Sequence, residues 1–377
     1  MPDDEPLRGV GREERALCLA ARTVLDETAR RRLSAALEDR LDLERLWSLA
    51  HLHEVGPLLA RTMPEAGEGA IPELWLARAT KRRHVTLGSN ARLADALLPT
   101  LRALADAGLD AMPVKGLVVA DQLYGDLGAR PCADLDVLVR PGSLPAARAV
   151  LRGLGFAQRE VPRYKALVHQ FHDPAWERID GGSHVRLELH WALWADSARR
   201  MGTDGLWDRS VPATLLGQPI RILSPEDTLL HLAIHRTRSA LRLRWVVDVA
   251  ELLRRHATTL DWEAFLARAT VARGRTASWA VLRLAHDLLD APVPDEVLQA
   301  LDPGPLKRAI LERTCGRRAL FRRASHGDVR QQPHLAARAF EEDGLGRIAG
   351  SLAGSASRPI REALHDAGLV RVDRRMA

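Results

Sequence analysis

No stretch of 18 or more consecutive apolar residues occurs in this chain, so a membrane-spanning helix is not expected. The opening residues, MPDDEPLRGVGREERALCLA, begin acidic and lack the basic-then-apolar layout of a secretory leader, which makes the cytoplasm the expected compartment. Cysteine is scarce. Cys18, Cys132 and Cys315 stand far apart and form no CxxC or Cys/His cluster, excluding a disulfide framework and a structural zinc site. Cys132, two residues before Asp134, reads as a small buried side chain rather than a reactive thiol. Aromatic residues make up only 4% of the chain, and its basic residues are not interleaved with them as in a nucleic-acid-binding module. No internal repeat of solenoid period is present.

What is present is an ordinary globular composition, 46% hydrophobic and 28% charged over 377 residues, enough for two or three modest domains. The formal charge of +6 comes mostly from arginine scattered along helical segments, so a nucleic acid is possible as a partner but not indicated. Apolar residues recur at three- and four-residue spacing from Glu13 to about Leu98. This predicts an N-terminal helical region over 1–98, with a loop at Pro64–Pro72 and a last helix ending at Gly108. From 99 to 223 the pattern changes to strand, helix, strand, helix, strand: LDAMPVKG, LVVADQLYGD, ADLDVLVR, PGSLPAARAVLRGLGF and HVRLELHWAL. Residues 224–377 return to helix, beginning at the cap-like Ser-Pro-Glu-Asp of 224–227 and ending in a Gly-, Ser- and Arg-rich tail after Gly344. The fold class is α+β, a mixed-sheet core flanked by helical regions.

Successive side chains of a strand point to opposite faces, so Asp134 and Asp136 share a face while Leu135, Val137 and Val139 alternate with or follow them. Two adjacent carboxylates repel one another and are tolerable beside a divalent cation, which makes the pair a candidate Mg²⁺ site. By the same alternation Arg186, Glu188 and His190 lie on one face of a later strand, with Leu187, Leu189 and Trp191 on the other.

A Gly-containing turn before a helix, a strand bearing Asp-x-Asp and a later strand bearing a third carboxylate resemble the plan of the nucleotidyltransferase superfamily to which DNA polymerase beta belongs. More narrowly, KGLVVADQLYGDLGARPCADLDVLV, followed by a helix ending in GLGF and by LELHW, is similar to a bacterial family of largely uncharacterised nucleotidyltransferases. Its pattern has Lys-Gly, Leu-Tyr, Gly-x-Arg, Asp-x-Asp and a Glu- or Asp-x-His-Trp element. LAHLHEVGPLLAR upstream and HLAIHRTRSALRLRWVVDVAELL downstream extend the resemblance to about His256.

The resemblance implies transfer of an NMP group from an NTP to a hydroxyl of an acceptor (a small molecule, a peptide or protein, or an RNA end) with loss of pyrophosphate. Asp134, Asp136 and Glu188 would hold two Mg²⁺ ions, with Glu188 completing the site or accepting the nucleophile's proton. Lys115, Gly116, Arg130 and His190 would serve the nucleotide, through main-chain N–H groups at the start of a helix and through cationic contacts to phosphate. Many superfamily members carry Gly-Ser or Gly-Gly in the turn. Here Leu117 follows Gly116, and Lys115 becomes the substitute for the missing hydroxyl.

Each residue also has a plainer reading. His190 could orient a carboxylate or pack beside Trp191, and Arg130 could pair with Asp126 or Asp134. His231 and His235, four apart on one helix face, fit a cleft lining or a packed interface better than zinc, there being no HExxH. Asp248 could shape an acceptor pocket or be a buried acid bonded to Arg242 or Arg244. The competing functions are a catalytically silent nucleotide-binding or protein-interaction module of the same fold, and a phosphotransferase using the same metal site.

Overall fold

The computed structural model describes residues 7, 9–38, 40–67, 71–159, 175–180, 182–193, 204–236 and 242–322. Tyr164, His169 and His172 lie outside the described residues, as does the tail after Gly344. The chain begins with four helices, α1 (Arg12–Ala20), α2 (Glu27–Glu38), α3 (Leu43–Leu52) and α4 (Gly56–Thr62), and then a long α5 (Glu73–Asp106). Asp42 caps α3 by accepting from the Arg45 amide at 3.0 Å, satisfying one of the donors a helix start leaves over. α5 runs through position 98 and stops where Gly108 takes φ +72°, so the predicted terminator acts, while the predicted division at 98/99 falls inside one helix.

The core contains β1 (Ala111–Val114), α6 (Gly116–Gln122), β2 (Leu135–Val139), α7 (Leu144–Gly153), β3 (Ala157–Gln158), β4 (Trp176–Asp180) and β5 (Ser183–His190). The sheet order is β1-β2-β5-β4-β3, with β2 and β5 parallel and the other pairs antiparallel. After α8 (Asp204–Asp208) comes a separate hairpin, β6 (Val211–Leu215) and β7 (Gln218–Ile222). It turns through Leu216 and Gly217, both at positive φ, the two-residue turn whose twist matches the strands it joins. The sequence reading lacked β3, β4 and this hairpin.

The helical stretch after Ser224 divides into α9 (Pro225–Arg236) and α10 (Leu243–Arg255), followed by α11 (Trp262–Val271), α12 (Arg275–Leu289), α13 (Asp295–Leu301), α14 (Pro305–Cys315) and α15 (Arg317–Arg322). Among the described residues no helix is long and apolar enough to cross a membrane.

Two apolar layers fix the central strands. Leu135, Val137 and Val139 of β2 and Leu187 and Leu189 of β5 pack with Leu93, Leu97 and Leu104 of α5 and Leu151 of α7. Met112 and Val114 of β1 and Leu138 of β2 belong instead to a larger cluster with α1–α4 and α9–α12. Every residue of β2 is consequently buried. At about 1.5–3 kcal/mol per fully buried large apolar side chain, the alternation of β2 is strongly specified, since a one-residue slip would exchange its two faces. The polar residue that this register places inside the second layer is Asp136.

Candidate active site

In the β2–β5 pairing Asp136 lies directly beside Glu188, and Leu138 beside His190, so both carboxylates and the imidazole project from one face. The Asp136, Glu188 and His190 ligand atoms all lie within 4.8 Å of one another, the arrangement among the described residues that could hold a metal ion. Asp134 immediately precedes β2, and its charge is felt by the same group.

Asp136 is 5% exposed, and its Oδ1 is met by Lys115 Nζ at 2.7 Å and His190 Nε2 at 2.8 Å. Burial pushes its carboxyl up, yet the Lys115 ammonium and the hydrogen bond from His190 overcome this and hold it well below the usual carboxylate range. Asp134 behaves oppositely. Burial and the negative charges of Asp136 and Glu188 raise it to about 6, against the weaker pull of Lys115 and Arg186. Glu188 is held by Arg186, two residues before it on the same face, and its Oε2 lies 3.7 Å from His190 Nε2.

The turn that delivers Lys115 is unusual. Lys115 has φ +55° and ψ −146°, a conformation that suits glycine and costs a side-chain-bearing residue about 1–3 kcal/mol. Gly116 follows at φ +36°, where a Cβ would meet the Asp134 carbonyl oxygen at 3.4 Å. The strand–turn–helix path therefore passes close against the backbone entering β2 and turns the lysine ammonium onto Asp136.

Arg130 is placed differently from the sequence reading. Its guanidinium, 2% exposed, makes a two-pronged pair with Asp248 of α10, Nε to Oδ1 and Nη2 to Oδ2 both at 2.8 Å. Tyr124 donates its hydroxyl to the same Oδ1 at 2.7 Å. Burial and the Asp248 charge push the Tyr124 phenol well above its ordinary value. Asp126 pairs with Arg83 at 2.8 Å, and Arg242 and Arg244 both pair with Glu54, so neither set of partners read from the sequence for Arg130 or for Asp248 is found. The reason is topological: α10 packs under the loop before β2 and brings together charges 118 residues apart.

His231 is 3% exposed and stacks on His235 with ring centroids 5.8 Å apart, and His235 meets Trp245 edge-on at 5.2 Å. Burial drives His231 well below its ordinary value, reinforced by the Lys115 and His190 charges and opposed by Asp136. α9 thus brings two stacked imidazoles against Trp245 of α10, a packed interface. Asn90 of α5 was missed altogether: its Nδ2 donates to the carbonyls of Leu127 (2.6 Å) and Arg130 (2.8 Å), and its Oδ1 accepts from the Cys132 amide at 3.2 Å. A lone polar residue in a helical pattern carries no signal of that task. Tyr124 did have one, the Leu-Tyr element.

The profile of a family described as uncharacterised nucleotidyltransferases matches residues 39–290, which span α3 through α12 and every residue of the site. The chain belongs to that family. Nucleotidyl transfer is accordingly the reaction class of this nucleotidyltransferase, and its mixed-sheet core is the scaffold for it. Two solved structures are similar to it in part. The solution structure of the antibiotic-resistance factor ANT(2'')-Ia is 18% identical, with 51% of this chain and 95% of that chain covered and a TM-score of 0.34. The crystal structure of an antigenic nucleotidyltransferase-like protein from Paracoccidioides brasiliensis is 14% identical, with 58% and 97% covered and a TM-score of 0.32. Likeness at that level bears on neither substrate nor mechanism. Among curated proteins no match is found.

Proposed function

We propose that this nucleotidyltransferase moves the NMP group of an NTP onto a hydroxyl of an acceptor, with release of pyrophosphate, at the carboxylates of β2 and β5. The observation that carries the reading is the register that sets Asp136 beside Glu188, with Asp134 raised to about 6 by burial and by those two charges. Three carboxylates so close that two of them help to raise the third form an oxygen-donor set. That is the donor chemistry of a hard divalent cation such as Mg²⁺, and Asp134, Asp136 and Glu188 are the oxygen donors that would hold it, with two ions as the expected number. When bound, the cations would offset charge on the phosphate oxygens and the departing pyrophosphate.

The chain's own residues do the rest. Asp136, kept ionised by Lys115 and His190, serves as a ligand and is unsuited to accept a proton. His190 orients it, as second partners of ligands commonly do. Glu188, beside it in the register, takes the proton of the attacking hydroxyl. Lys115, its ammonium already at the site, contacts the phosphates, and the Gly116 and Leu117 amides at the start of α6 offer further donors.

Incubation with α-labelled and γ-labelled NTPs, Mg²⁺ and a panel of hydroxyl acceptors tests this. Label from the α position should appear on an acceptor, reduced about 100-fold or more in Asp136→Ala. Transfer of the γ label instead would make the protein a phosphotransferase. NTP binding that survives Asp136→Ala, with no transfer of either label by the wild type, would make it a silent binding module.

A further inference from the structure

Lys115 holds a backbone conformation that its side chain disfavours, so something must hold the turn in place. The Gly116 carbonyl, at the centre of that turn, accepts from Arg130 Nη1 at 3.3 Å. Two further N–H groups of the same guanidinium are fixed on Asp248, whose carboxylate is fully buried and also bonded by the Tyr124 hydroxyl. The main chain of Arg130 is held as well, its carbonyl by Asn90 of α5. The residue is thereby held at both ends, and Nη1, which the Asp248 pair does not use, donates to the Gly116 carbonyl and, at 3.6 Å, to Cys132 Sγ.

We infer that Asp248 is a positioning residue for the transfer reaction: acting through Arg130, it clamps the Lys115–Gly116 turn and keeps the Lys115 ammonium on Asp136. A buried ion pair kept only for stability could be replaced by well-packed apolar residues at little cost. What apolar residues could not supply is the third contact, from Arg130 to Gly116. The clamp also joins α10 to the site through the Arg130 guanidinium. This inference rests on the proposed reaction, but the contact it invokes is testable without turnover.

Lys81, Lys115, Lys165 and Lys307 are the lysines of this chain, which makes trace acetylation of the full-length protein, read peptide by peptide in a mass spectrometer, a direct probe. Lys81 is exposed, and half-buried Lys307 donates to Thr276 at 2.8 Å, far from the clamp in sequence, so it reports any general loosening. In wild type Lys115, 10% exposed and ion-paired, should react about tenfold or more slowly than Lys81. In Asp248→Asn the Lys115 rate should rise about fivefold or more while that of Lys307 is unchanged. The turnover number for α-label transfer should fall about tenfold.

Unchanged Lys115 reactivity, a parallel rise of Lys115 and Lys307, or an unchanged turnover number would overturn the inference. Should Asp248→Asn fail to fold, Arg130→Lys, which keeps the charge and loses the prong to Gly116, is judged by the same outcomes. If wild type transfers no label, the proposed reaction falls, and the acetylation rates still decide whether Asp248 holds the turn.

Discussion

Lowering the pH should loosen the junction between α3 and α10, and His53 is the group through which the effect can be isolated. His53 follows α3 and is 1% exposed; its Nδ1 accepts from the Leu243 amide at 3.1 Å, and its ring packs edge-on against Phe321 at 5.2 Å. Burial, with the nearby Arg242 charge, pushes its pKa down from 6.5 to about 3. The unfolded chain therefore takes up this proton below about pH 6.5, while the folded chain does so only near pH 3. Between those values the unfolded state binds more protons, so stability falls as pH falls. At 1.36 kcal/mol per pH unit, the 1.5 units between 6.5 and 5 correspond to about 2 kcal/mol lost by pH 5 from this one residue. His53→Asn keeps an acceptor for the Leu243 amide and does not titrate. Urea unfolding of both proteins at pH 7 and pH 5 should show the variant losing about 2 kcal/mol less than wild type over that interval. Because other titrating groups are common to both proteins, the difference is specific. Equal losses would refute the assignment of His53 as a buried neutral imidazole.

Three further outcomes are expected. With divalent metal chelated at pH 8, Asp134→Asn should be the more stable protein by up to about 3 kcal/mol, since a carboxyl raised from 3.8 to about 6 costs stability above pH 6 and nothing below 3.8. Thermal melts should show this gap closing when Mg²⁺ is added and vanishing near pH 3.5. Asp248→Ala should cost about 3–5 kcal/mol in urea unfolding by leaving the buried Arg130 charge unpaired, and the double variant Arg130→Met/Asp248→Leu should recover most of it. Leu104→Ala, which opens a cavity between α5 and the sheet, should cost about 2–5 kcal/mol while leaving label transfer per folded molecule intact.

The parts of the site that follow from alternation were readable in the sequence. Asp136, Glu188 and His190 share a face because residues two apart in a strand must, and the apolar residues between them reveal which face is buried. The same rule could not say that β2 and β5 are neighbours in register; that depends on sheet order, which no local pattern encodes. Arg130 shows where local reading fails. Its charge suggested a ligand, and the nearby Asp126 and Asp134 suggested partners, but the acid that holds it arrives from α10 through tertiary packing. Lys115 was singled out for its charge, whereas its place beside Asp136 depends on a backbone angle that a Lys-Gly dipeptide does not announce. The hairpin of β6 and β7 was missed for another reason: Leu216 occupies a positive-φ turn position where Asn or Asp would have signalled it.

One contact of the outer helices sets a timetable for the molecule. Arg22, just after α1, closes onto Asp290 at the end of α12 at 2.5 Å, across 268 positions of chain. A ribosome adding about 5–20 residues per second needs roughly 13 to 54 s to supply the second partner after the first has emerged. Throughout that interval the apolar faces of α1–α4 lack the later helices that cover them, so the N-terminal helices complete their core only after α9–α12 have been made.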